Sequence, residues 1–183
     1  MAIETAMFRT IPFENDRIER LIDAAGALLS SSLGYKATSI PTEMFVDRWG
    51  PKRNVVRCKV DSTCPDAPDT VILRRVRDTD AYDPADTRTS GPTYQMFDYW
   101  AGASFLSTLT PEQSPMFYGG HLEGGFILIE DVGARMSVVN ALAGGDSEEA
   151  EHELLDLATC LGTIHAKSAG SEAQYLELRN ALS

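Results

Sequence analysis

The 183-residue chain is short of positive charge, of cysteine and of long apolar runs. Sixteen Lys and Arg stand against 27 Asp and Glu, which leaves a net charge of −11. A nucleic-acid surface needs clustered cations to neutralise phosphates, so that class of partner is excluded. A small anionic ligand is not, because one local cationic patch can hold it. The three cysteines, Cys58, Cys64 and Cys160, show no C-x-x-C spacing, which supports neither a disulfide framework nor a zinc site. Reduced, mostly buried thiols are expected, and Cys160, among Leu and Ala with no basic neighbour, is not expected to be a nucleophile. No run approaches the ~18 apolar residues of a spanning helix, and MAIETAMFRTIPFEND at the N-terminus has no signal-peptide core. A soluble, cytoplasmic protein with no membrane partner is expected. There is no P-loop Lys-Ser/Thr signature, no Gly-x-Ser-x-Gly elbow, no internal repeat and no low-complexity segment.

The apolar fraction, 43%, with 8% aromatic residues, suffices for a packed core. One domain, or one and part of another, fits the length. Asn15 suits the cap of a helix from Asp16 to about Ser31, where Ile18, Leu21, Ile22, Ala25, Leu28 and Leu29 share a face. Gly34 suits the left-handed position after it. The period then changes. Met44–Trp49 and Val55–Val60 read as strands joined by Gly50-Pro51-Lys52-Arg53-Asn54, a turn by composition. After a turn over Cys64–Asp69, Thr70–Arg77 reads as a third strand, with Arg74 on one face and Arg75 and Arg77 on the other. Three sequential strands with short turns predict an antiparallel meander.

A polar loop over Asp78–Pro92 precedes a helix over Thr93–Leu109, with Phe97, Trp100, Ala101, Ser104, Phe105 and Leu109 towards the core. Met116–Gly119 is a short strand. Gly124–Gly133, GGFILIEDVG, is the centre of the chain: a four-residue apolar run between turn signals suits a strand buried on both faces. Glu130 and Asp131, where it leaves the core, are read as solvated linker carboxylates rather than an acid–base or metal pair. Ala134–Leu142 reads as a short helix. Asp146 or Ser147 caps a final long helix with an acidic first turn, and Leu154, Leu157, Ala158, Leu161, Ile164 and His165 line its apolar face. His165 is expected to be a hydrogen-bonded core residue. Gln174–Leu182 adds a last turn or two. His121, His152 and His165 share no metal-ligand spacing.

Strand, glycine turn, strand, basic strand, helix, two strands, acidic linker, helix: this order resembles the ATP-binding lobe of kinase-like small-molecule phosphotransferases, the aminoglycoside phosphotransferase family among them. Asn54-Val55-Val56-Arg57 is similar to the passage from glycine loop to second strand. FDYWAGASFL (Phe97–Leu106), PMFYGG (Pro115–Gly120) and Phe126–Gly133 resemble the next three landmarks, and LATCLGTIHAKSAG (Leu157–Gly170) the first large-lobe helix. The resemblance runs from about Phe45 to Gly170. It implies an α+β fold with a protein-kinase-like N-lobe: a mainly antiparallel five-stranded sheet, a long helix packed on it, and flanking helices. It divides the chain into an N-terminal helical segment (1–36), the ATP-binding lobe and linker (37–133) and the start of a truncated helical large lobe (134–183).

The resemblance also implies a nucleotide site. Ile129 would stand at the back of the adenine pocket, with the Glu130 carbonyl and the Val132 amide on the adenine edge. Gly50, Arg53 and Asn54 belong to the turn that would cover the phosphates; a plain hairpin turn is the alternative. Arg74 stands where the family has a phosphate-contacting lysine, or else is a surface arginine paired with an acid. Tyr99 replaces the partner glutamate, with Asp98 beside it. The family's catalytic His-x-Asp-x-x-x-x-Asn loop is found nowhere in the chain, since His165 is followed by Ala166-Lys167. No catalytic residue and no metal ligand is therefore assigned. The implied cofactors are ATP and Mg2+, the magnesium ligands not being present in this chain, and a complete enzyme would transfer the γ-phosphoryl to a hydroxyl of a small-molecule acceptor. The chain alone is expected to be inactive. The alternative is a non-catalytic kinase-like module that binds nucleotide or a protein. The final helix, uncovered by a large lobe, would favour self-association.

Overall fold

The computed structural model describes residues 16–44, 55–76, 81–86, 88, 90–133 and 138–182. Ten elements follow in order: α1 (Asp16–Leu33), β1 (Ala37–Met44), β2 (Val55–Ser62), β3 (Thr70–Arg75), α2 (Pro92–Leu109), β4 (Phe117–His121), β5 (Phe126–Glu130), α3 (Val138–Gly144), α4 (Ser147–Ser168) and α5 (Glu172–Asn180). The strands form one sheet in the order β1-β2-β3-β5-β4, every neighbouring pair antiparallel. The fold is α+β.

The sheet carries a helix on each face. Alternation along β5 sends Phe126 and Leu128 to one side, where they meet Ala25 and Leu29 of α1 together with Val56, Cys58, Val71 and Leu73. Ile127 and Ile129 go to the other side, against Met96, Tyr99 and Trp100 of α2. β5 is thus buried on both faces, as its continuous apolar run predicts. α2 is apolar around most of its circumference, and it has neighbours on both sides: the sheet on one, α5 on the other. Pro92 starts it, where the missing N–H costs no helical hydrogen bond.

β4 is where the two helices close on the sheet from opposite faces. At Gly119, with φ +138°, an added Cβ would lie 2.9 Å from Leu28 of α1. At Gly120 it would lie 2.3 Å from the Trp100 ring of α2. Two glycines here let both helices pack against backbone.

α1 is tied to β1 through Ser30, whose hydroxyl donates to the carbonyls of Gly26 and Ala37 and accepts from the Ala37 N–H. The first described strand is Ala37–Met44, upstream of the expected Met44–Trp49 and sharing only Met44 with it. Its pairing with β2 carries it through Pro41 with a register shift, tolerable because β1 is an edge strand. The expected strand residues beyond Met44 lie outside the described residues. β4 begins at Phe117 rather than Met116, and α3 is described from Val138. Asp146 caps α4 as expected, its carboxylate accepting from the Glu148 and Glu149 N–H groups.

Two expectations fail on α4. None of its 22 residues is buried, and its apolar face is open, Leu154, Leu157 and Leu161 each retaining 40–45% exposure. His165 is exposed rather than a core residue. Helical periodicity marks which residues share a face; it does not supply the neighbour that covers it.

Candidate functional site

The α2 side of the sheet gathers the chain's notable side chains. The pairing register lays Arg57, Ile72, Ile129 and Phe117 in one row across β2, β3, β5 and β4. The next row on the same face is Val55, Arg74, Ile127 and Gly120. Arg57 and Arg74 are thus diagonal neighbours on adjacent strands, with Ile72 opposite Arg57 and two residues before Arg74. The face offers a small apolar floor of Ile72 and Ile129 beside two guanidinium groups.

Arg74 lies over the Tyr99 ring of α2, its Cζ 3.9 Å from the ring centroid. A planar guanidinium on a ring face gains cation–π attraction and is held flat. No hydrogen bond or ion pair engages it among the described residues. The contact leaves its edge-on N–H fork available to an acceptor in the plane of the group.

Asp98, one residue before Tyr99, points elsewhere. It accepts from Arg179 Nε of α5 at 2.8 Å, while the Arg179 guanidinium stacks on Tyr94 with its Cζ 4.0 Å from the ring centroid. Adjacent residues on a helix diverge by about 100°, so Asp98 secures α5 and Tyr99 alone meets Arg74. The Asp98 carboxylate also raises the Arg179 pKa through the hydrogen bond.

Arg57 and Asp131 form the second feature. Arg57 Nε donates to Asp131 Oδ2 at 2.5 Å, Thr70 Oγ1 donates to the same oxygen at 2.8 Å, and the Gly133 N–H donates to Oδ1 at 2.9 Å. The Asp131 side chain is only 5% exposed. This corrects the expectation of a solvated linker carboxylate: β5 ends where its antiparallel neighbour β3 begins, so Asp131 emerges beside Thr70 and in reach of Arg57. Burial works to raise the Asp131 pKa. The hydrogen bonds from Arg57, Gly133 and Thr70 outweigh it, and the carboxyl stays below its ordinary value. With both oxygens engaged, Asp131 is a structural anion rather than a general base.

Glu130 is exposed yet also occupied. Its N–H donates to the Met116 carbonyl at 2.8 Å and its carboxylate accepts from the Met116 N–H at 3.0 Å, a two-point hold on the start of β4. Val132 is 57% exposed at the mouth of the linker. Of the residues the sequence singles out, Arg74 and Ile129 share the face, Glu130 and Val132 stand at its linker edge, and Gly50, Arg53 and Asn54 lie outside the described residues. Asp131 is singled out in the sequence only as a solvated linker carboxylate, Arg57 only as part of the Asn54–Arg57 passage, and Thr70 not at all. Period-two alternation puts Arg57 on the face of its β2 neighbours Val55 and Lys59, but only the register between strands shows that this is also the face of Arg74.

Arg75 turns to the opposite side. There it lines a cavity of about 350 Å³ with Arg20, Leu21 and Ala24 of α1 and with Tyr82 and His121. Among the described residues no three His, Cys, Asp or Glu side chains gather to hold a metal ion, and no helix is long and apolar enough to cross a membrane. Comparison with models of known protein families, with characterised proteins and with solved structures returned no match.

Proposed function

We propose that this chain is the nucleotide-binding portion of a kinase-like small-molecule phosphotransferase. The observation that carries the reading is Arg74: a cation with an unused N–H fork, held on Tyr99 beside the apolar floor of Ile72 and Ile129. An apolar floor suits a flat base, and a guanidinium suits phosphate oxygens. The strand order, with α2 inserted between β3 and β4 and an acidic linker after β5, supports the same reading. In a complete enzyme the γ-phosphoryl of ATP would pass to a hydroxyl of a small metabolite or drug.

The described carboxylates around this face are committed, Asp131 to Arg57 and Asp98 to Arg179. The set does not suit a magnesium ion, and no step is assigned to one. That favours binding without transfer by these residues, the reading of a nucleotide-binding module. Titration of the protein with ATP, followed by thermal shift and calorimetry, tests both forms. A rise in melting temperature that Arg74→Ala abolishes and Arg74→Lys partly keeps is the expected result. No rise at millimolar ATP overturns the proposal.

A further inference from the structure

The open face of α4 is the largest feature the nucleotide reading leaves unused. Leu154, Leu157 and Leu161 retain 40–45% exposure, and none of the 22 helical residues is buried. Single exposed leucines are ordinary, but Leu154, Leu157 and Leu161 on one helical face mark an interaction surface.

The charge along the helix says what kind. Its first half holds five acids, Glu148, Glu149, Glu151, Glu153 and Asp156; its second half, Leu157–Ser168, holds none, and carries His165 and Lys167. Two such helices laid parallel would set acid on acid. Laid antiparallel, each acidic half meets an acid-free half with a cation. A two-fold axis at the helix midpoint, between Leu157 and Ala158, also places Leu154 of one copy opposite Leu161 of the other. The face is complementary to itself, as an interface between identical subunits must be. We infer that two copies of this chain pair through α4 in antiparallel orientation.

The net charge of −11 opposes this pairing at long range. Added salt screens that repulsion, so the dimer should strengthen as salt rises, whereas capture of a basic partner would weaken. Light scattering and sedimentation of the full chain over a concentration series read the state directly. The wild type is expected to be a dimer, and Leu161→Glu to raise its dissociation constant about tenfold or more with circular dichroism unchanged. Orientation is read by cross-linking in a Cys64→Ser, Cys160→Ser background. Ala158→Cys, beside the two-fold axis, should form a disulfide between copies, and Glu151→Cys should not. A wild type that stays monomeric at high micromolar concentration overturns the inference, as does equal cross-linking at both positions.

Discussion

Arg57 and Asp131 stand 74 residues apart in sequence and 2.5 Å apart in space, joining strand β2 to the first residue beyond β5. The bond spans β3, whose Thr70 hydroxyl completes it. It fixes the direction in which the chain leaves the sheet, and it stands at the linker edge of the face that carries Arg74.

Removing one partner takes a charge-assisted hydrogen bond from the other where little solvent can replace it, Arg57 and Asp131 being 17% and 5% exposed. Asp131→Asn is expected to cost about 2 kcal/mol of unfolding free energy, measured by urea denaturation. The folded-state pKa of Asp131 is depressed, so its contribution is fully present above the ordinary carboxylate pKa and is lost as pH falls through the folded value. The cost of Asp131→Asn should therefore shrink in strongly acidic buffer. An unchanged cost there would mean that the pair contributes nothing through charge.

Arg74 and Tyr99 separate a stacking role from an anchoring one. On the proposed nucleotide reading, Tyr99→Phe keeps the ring and should leave ATP affinity nearly unchanged. Tyr99→Leu should lower it by roughly twofold to fivefold, through loss of a cation–π contact of about 0.5–1 kcal/mol. Isothermal titration distinguishes the two, and equal losses would point to the hydroxyl instead.

Gly120→Ala should be among the most damaging single methyl additions, since the new Cβ would fall 2.3 Å from the Trp100 ring. Overpacking of this kind costs about 1–3 kcal/mol. Pairing it with Trp100→Leu should recover part of the loss in a double-mutant cycle.

Cys58 is fully buried, and burial pushes its thiol pKa up to about 12. At neutral pH it should resist a thiol reagent until the protein unfolds, while the partly exposed Cys64 and Cys160 react first. Mass spectrometry after timed alkylation would show the order, and early labelling of Cys58 would indicate that β2 opens locally.

Arg179 ties α5 to α2 through Asp98 and Tyr94, and Tyr175 meets Phe105 edge-on at 5.8 Å between ring centroids. Arg179→Ala should expose the connection at Ala169–Ser171 to protease without unfolding the sheet. Coincident loss of sheet and helix signals would show instead that α5 is integral to the core.

The helices and the central strands were legible because their signals are local. The apolar run Phe126–Ile129, the caps at Asp146 and Gly34, and the helical spacing in α1 and α2 depend on near neighbours in sequence. β1 was not legible because it is an edge strand interrupted by Pro41, so its position shows only in its pairing with β2. The face with Arg74 was legible from alternation. The engagement of Asp131 was not, because Arg57, Thr70 and Asp131 meet only through strand register. The exposed face of α4 shows the same limit from the other side.

Arg74 and Arg75, consecutive in sequence, open onto opposite sides of the sheet, one towards Tyr99 of α2 and the other towards α1. Everything along β3 and β5 is divided in the same way, odd positions from even. Selection can therefore act on the two sides almost separately. Residues facing α1 can drift under a demand for foldability, while those facing α2 respond to whatever the protein must hold. A history of duplication and change should appear in such a sheet as two interleaved rates of substitution, alternating residue by residue.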